Sequence, residues 1–272
     1  MRRRSTLTAL VLAAAIGGTA CATQAGTAPG PSGRHRSTTL LDKVPESGVL
    51  RVCTTGDYRP FSYLDPATKS YTGIDIDMAK NLATSLGVKP RFVATTWAEL
   101  MGDLTAGKCD IGMGGVSVTL ARAQDVYFGT PYLVDGKAAI ARCENKSKYQ
   151  SMKGIDRPGV RVIVNPGGTN EAFVKTNIHE ATVITHTDNT TVFDEIVAGR
   201  ADVMITDSSE TEYQAKLEPE LCAINPDRPF AFGEKAYLLP RGDEEFKEYV
   251  DQWVHLAVHD GTYDGYAADW VG

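Results

Sequence analysis

Apolar residues recur along this chain in two alternating rhythms. The β-branched run Gly48-Val49-Leu50-Arg51-Val52-Cys53-Thr54-Thr55 predicts a strand over residues 48–55. The next periodic stretch puts Ile74, Met78, Leu82 and Leu86 on one face of a helix over 73–87. A strand over 91–95, a helix over 97–106 stopped by Gly107 and a strand over 109–113 follow. Later, 160–164 reads as a strand that turns into a helix through Asn177. Residues 243–259 read as an amphipathic helix whose stripe of Phe246, Val250, Trp253 and Ala257 belongs to a core. Strands alternating with helices predict an α/β protein with crossover helices between parallel strands. Its ligands belong beyond the carboxyl ends of those strands.

One unit of the pattern repeats. Leu104-Thr105-Ala106-Gly107-Lys108-Cys109-Asp110-Ile111 returns as Ile196-Val197-Ala198-Gly199-Arg200-Ala201-Asp202-Val203, each after a helix and each running into a strand. Two similar units about 90 residues apart predict two similar lobes. Each repeat ends in a small or polar tip, Gly114-Gly115-Val116-Ser117 and Thr206-Asp207-Ser208-Ser209, so Ser117 and Asp207 face a candidate ligand site. The chain crosses between lobes twice, over 132–142 and 232–239. That assigns 40–136 with 232–272 to lobe 1 and 137–231 to lobe 2.

The amino terminus adds a destination. Met1-Arg2-Arg3-Arg4, an apolar run over 7–16 and Gly17-Gly18-Thr19-Ala20 before Cys21 make residues 1–21 a secretory signal. The run is too short for a comfortable membrane span. Cys21 stands where a lipoprotein is acylated, although Gly18 replaces the usual larger aliphatic residue, so plain cleavage and release is the alternative. Residues 22–39 read as a flexible linker rich in Thr, Ala, Gly, Pro and Ser. Besides Cys21, four cysteines enter an oxidising compartment and allow three pairings. Cys143 with Cys222 is favoured, as a clip from the start of lobe 2 to its end; Cys53 and Cys109 are either a pair or buried thiols. The net charge of −6, with basic residues scattered, argues against a nucleic-acid partner.

Candidate chemistry gathers at the strand ends. The turn Asn165-Pro166-Gly167-Gly168-Thr169-Asn170-Glu171 opens a helix and offers its amides to an anion. Without a Walker lysine or GxGxxG spacing, a carboxylate suits it better than a phosphate. Arg122, one turn beyond Thr119, is placed to grip a carboxylate with its fork of donors. Tyr58, Phe61 and Trp97 supply an aromatic wall or core packing. Glu210 sits one turn beyond the second tip, where an acid also serves as a helix-start residue. His255 and His259 lack the glutamate and third ligand of a zinc site, and no Gly-x-Ser-x-Gly elbow is present.

Several stretches carry a resemblance. Ser47-Gly48-Val49-Leu50-Arg51-Val52, Thr55-Gly56-Asp57-Tyr58-Arg59-Pro60-Phe61-Ser62-Tyr63, Asp135-Gly136-Lys137, residues 164–171 and Glu234-Lys235-Ala236-Tyr237-Leu238-Leu239-Pro240-Arg241 are similar to cyclohexadienyl dehydratase, over nearly the whole chain after the leader. The resemblance implies a two-lobed type 2 periplasmic-binding-protein fold, each lobe a mostly parallel sheet flanked by helices. It also implies cofactor-free conversion of prephenate to phenylpyruvate or of arogenate to phenylalanine. By the same resemblance Glu210 is the general acid and Lys137 a catalytic positive charge. Arg122 binds the substrate carboxylate, Tyr58 and Trp97 line the cleft, and Asn165 and Thr169 hold the anion. Ser208-Ser209 departs from the apolar pair expected before the acid, which bears on how dry Glu210 is.

The rival is a substrate-binding lipoprotein of an amino-acid importer, with Arg122 on the α-carboxylate, Asp207 on the amine and a permease as partner.

Overall fold

The computed structural model describes residues 39–271; the signal, Cys21 and the linker up to residue 38 lie outside them. The first element among the described residues is the helix Leu40–Ser47, whose cap Thr39 accepts from the Leu41 amide.

Two mixed sheets carry the chain. The first is ordered Lys89–Ala94, Val49–Thr54, Ile111–Gly112, Leu238–Pro240, Val126–Phe128. Its first three strands are parallel, and Leu238–Pro240 joins antiparallel to both neighbours. The second is ordered Thr182–Thr185, Arg161–Val164, Val203–Asp207, Leu133–Arg142, Leu221–Ile224. Again the first three strands are parallel and the rest antiparallel. The parallel trios are what strand–helix alternation predicts. The antiparallel members include the returning segments, on which alternation is silent.

The two segments expected to cross between lobes lie against each other. Ala231–Lys235 pairs antiparallel with the first half of Leu133–Arg142, Ala231 opposite Lys137 and Lys235 opposite Leu133. On the other side of Leu133–Arg142, Asp207 stands directly opposite Lys137. Side chains alternate faces along a strand, so this register puts Asp135, Lys137, Asp207 and Lys235 on one face.

The repeat is structural. In each copy a glycine with left-handed backbone, Gly107 (φ 70°) or Gly199 (φ 69°), stops the helix. An aspartate then grips an arginine on the adjacent parallel strand. Asp110 accepts from the Arg51 amide and guanidinium at 2.8 and 2.6 Å. Asp202 accepts from the same groups of Arg161 at 2.8 and 2.7 Å.

The cores follow the periodicities. Met78 and Leu82 pack with Leu50, Val52, Phe246, Val250 and Trp253 in lobe 1. In lobe 2, Val162, Val164, Val203 and Ile205 feed one cluster while Ile163, Met204 and Ile140 feed another, as strands covered on both faces require. Each lobe carries a disulfide, Cys53–Cys109 in the first and Cys143–Cys222 in the second. The former is the pairing that the sequence left open.

The helix expected over 97–106 starts only at Leu100. The Thr96 hydroxyl accepts from the Glu99 amide and forms a turn, which leaves Trp97 outside the helix.

Candidate active site

The tips of the two repeats meet across a cleft. Gly115 and Ser117 come from the first tip and Asp207 from the second; Tyr58 and Trp97 close one wall, and Asn165, Gly168, Thr169, Asn170 and Asn189 close the other. The space between these walls is about 20 Å³, room for roughly one water molecule, and is partly open to solvent. A larger hollow of about 320 Å³, lined among others by Ser117, Lys137, Thr169 and Asp207, adjoins it.

Asp207 is the hub. Its Oδ1 accepts from Lys137 Nζ at 2.6 Å, as the strand register dictates. Its Oδ2 accepts from the Tyr58 hydroxyl at 2.6 Å and from Lys235. Burial pushes the Asp207 carboxyl up, but the two ammonium groups outweigh burial and hold it well below the ordinary carboxylate range. Lys235 is fully buried and also donates to the Gly115 carbonyl at 2.9 Å and the Ser117 hydroxyl at 3.1 Å, so it ties the crossing strand to the first tip. Lys137 donates to Thr169 Oγ1 at 2.9 Å and Asn170 Oδ1 at 2.5 Å; burial lowers its ammonium, partly offset by Asp207.

Beneath the first tip, Asp75 accepts from the amides of Gly114 and Gly115 at 3.0 and 2.6 Å and from the Tyr132 hydroxyl at 2.7 Å. Burial raises its carboxyl to about 6 against these bonds. The tip is thereby held rigidly over the helix Ile74–Ser85.

Glu210 lies in the first turn of the helix Ser208–Leu217 and is 1 % exposed. It accepts from Thr206 Oγ1 at 2.5 Å, and Thr206 accepts from Asn170 Nδ2 at 2.8 Å. Burial, opposed by the Thr206 bond and assisted by the charge of Asp207, pushes its carboxyl up to about 8. Near neutrality Glu210 is a buried carboxylic acid that carries a proton. The two serines before it do not wet the site. Ser208 Oγ and Ser209 Oγ both donate to Asp135, each at 2.6 Å.

Residues 50–272 match the bacterial extracellular solute-binding proteins, family 3. The chain belongs to that family. It is 51 % identical over 231 residues to the cyclohexadienyl dehydratase of Pseudomonas aeruginosa, covering 85 % of each chain. It is 27 % identical over 233 residues to the L-cystine-binding protein TcyJ of Escherichia coli, covering 86 % of each. Among solved structures it is similar to an ancestral amino acid-binding protein described as a precursor of cyclohexadienyl dehydratase. That likeness has TM-score 0.79 and 37 % identity, and covers 86 % of this chain and 100 % of the other. It is also similar to an ancestral cyclohexadienyl dehydratase, with TM-score 0.56 and 49 % identity, covering 87 % and 98 %. The fold is therefore the two-lobed type 2 periplasmic-binding-protein fold, and this family 3 protein is exported and binds small molecules. Among the described residues no helix is long and apolar enough to cross a membrane.

Of the residues singled out in the sequence, Tyr58, Trp97, Ser117, Asn165, Thr169 and Asp207 line the cavity, and Lys137 touches Asp207 and Thr169. Thr169 is the first residue of its helix rather than the cap, which leaves its hydroxyl to Lys137. Three residues stand back. Phe61, 1 % exposed, stacks on Tyr58 at 5.6 Å and packs in the core of lobe 1, the packing alternative that its sequence position also allowed. Arg122 is half-buried and donates to the Ser117 carbonyl at 3.0 Å, and burial lowers its guanidinium. Glu210 lies behind the cavity wall rather than in it. Sequence reasoning missed Lys235, Asn170, Asn189 and Asp57. Lys235 lies on a segment recognised as a crossing, and a crossing strand at a cleft is where a buried lysine meets both lobes.

Proposed function

We propose that this chain catalyses the cyclohexadienyl dehydratase reaction, with Glu210 as general acid. The observation that carries this reading is the buried, protonated carboxyl of Glu210 beside a lysine-flanked cleft, in a chain 51 % identical to a cyclohexadienyl dehydratase. Closure of lobe 1 (40–136 and 232–272) on lobe 2 (137–231) excludes water from the reacting groups.

In prephenate the bond from ring to carboxylate breaks and its electron pair enters the ring. On the opposite carbon the C–O bond breaks, and the hydroxyl leaves as water with the proton of Glu210. Carbon dioxide and phenylpyruvate are the other products, and arogenate gives phenylalanine by the same route. Lys137 contributes positive charge. Arg122 and the turn at Asn165 and Thr169 hold the retained side-chain carboxylate; a grip of equal strength on the departing one would oppose its loss. Cys21 is the proposed point of lipid attachment.

The amino-acid importer reading fares worse at Asp207. A receptor's aspartate must be open to an ammonium, whereas Asp207 is already matched by Lys137, Lys235 and Tyr58. Purified protein is expected to turn prephenate into phenylpyruvate, read by the absorbance of the enol in alkali. Glu210→Gln should lower kcat by roughly 10²–10⁴-fold with little change in KM. Tight binding of an ordinary amino acid without turnover would overturn the reading.

A further inference from the structure

Asn189 is buried, lines the cavity, and donates from Nδ2 to the Asp57 carbonyl at 3.0 Å, across the cleft. A backbone carbonyl only accepts, so this bond fixes which way the amide points. Its Oδ1 is left buried and, among the described residues, without a hydrogen-bond partner. A buried acceptor with no donor is unfavourable, and such groups call for an explanation. In a cavity wall the explanation is a donor carried by the ligand.

The substrates of the proposed reaction narrow the choice. Their carboxylates only accept when ionised. The ring hydroxyl is the group that Glu210 must protonate. The remaining donor is the side-chain ammonium of arogenate, where prephenate has a keto oxygen. The surroundings suit a cation: the Asp57 carboxyl lies on the residue that Asn189 grips, where it accepts from Trp97 Nε1 at 3.1 Å.

We propose that Asn189 Oδ1 accepts from the side-chain ammonium of arogenate and so sets a preference for the amino acid over the keto acid. The inference rests on the dehydratase reading for its substrates. A keto oxygen at this point faces Oδ1 acceptor to acceptor, whereas an ammonium satisfies it. Sites with such a group discriminate strongly against analogues that lack the donor.

The test compares kcat/KM for arogenate and prephenate in the wild type, Asn189→Leu and Asn189→Asp. Asn189→Leu is expected to lose tenfold or more on arogenate and less than threefold on prephenate. Asn189→Asp keeps an acceptor but loses the donor to Asp57, and is expected to retain the preference. Equal losses on both substrates, or a loss of preference in Asn189→Asp matching that in Asn189→Leu, overturn the proposal, because the residue then acts only through its bond across the cleft. Calorimetry with L-phenylalanine and phenylpyruvate reads the same contact without turnover. If neither substrate is turned over but L-phenylalanine binds with an Asn189-dependent advantage, the dehydratase reading fails and the contact stands. If both are turned over but the two products bind alike in every variant, the contact alone fails.

Discussion

At the scale of single residues, Glu210 and Asp207 show how position overrides side-chain type. They are three residues apart, both acidic and both buried, yet one is driven to hold its proton and the other to lose it. The difference is the partner: Asp207 faces two ammonium groups, and Glu210 faces a threonine hydroxyl. Two consequences can be measured. Because only the protonated acid can deliver a proton, kcat is expected to fall as pH rises through about 8. The linkage to folding has the same sign. Between the ordinary value of 4.5 and about 8 the folded chain binds a proton at Glu210 that the unfolded chain does not. Its contribution is complete below the lower value and lost on passing the upper one, a decline of roughly 1 kcal/mol per pH unit. In urea melts, the stability advantage of the wild type over Glu210→Gln should therefore shrink from pH 5 to pH 8 and stay level above. An advantage that grew with pH would show that the carboxyl is ionised in the folded protein.

Secondary-structure elements explain why the same chemistry recurs at corresponding places. The two copies of the repeat build the same joint, a helix stopped by glycine and an aspartate clamped on the neighbouring strand's arginine, and each then presents its tip to the cleft. This was legible because helix stop, charge and strand are adjacent in the chain. Cys143–Cys222 ties the end of Leu133–Arg142 to Leu221–Ile224, with a sequence separation of 79. Closing a loop of that size restricts the unfolded chain by about 4 kcal/mol. The double variant Cys143→Ser/Cys222→Ser should lose about that much in a denaturant titration. A change of less than about 1 kcal/mol would show that strand pairing of Leu221–Ile224 with Leu133–Arg142 already does the clip's work.

For the whole molecule the governing fact is the size of the cavity. At about 20 Å³ the space between Tyr58 and Thr169 is far smaller than a ten-carbon dicarboxylate, so a ligand seated there requires these walls to part and close again. Trp97 stands in the wall, edge-on to Tyr58 at 5.4 Å, and reports that motion. In stopped-flow experiments its fluorescence should change at a rate that levels off with ligand concentration, limited by opening, and Trp97→Phe should abolish the signal. A rate that keeps rising linearly would mean that ligand enters without such a step.

Periodicity, glycine stops and charge spacing are local, so the chain's own order was enough to reveal alternating elements, the repeat, the two tips and most cavity-lining residues, Tyr58, Trp97, Ser117, Asn165, Thr169 and Asp207 among them. Resemblance singled out Glu210 but could not show how dry it is; that depends on Asp135 drawing both neighbouring serines away and on Thr206 covering the acid. Lys235 meeting Asp207 and Asn189 bridging to Asp57 are likewise products of folding. Each joins residues separated by stretches of chain that carry no record of the contact. Burial and long-range pairing, unlike helix and strand rhythm, exist only once both lobes are assembled around the crossing strands.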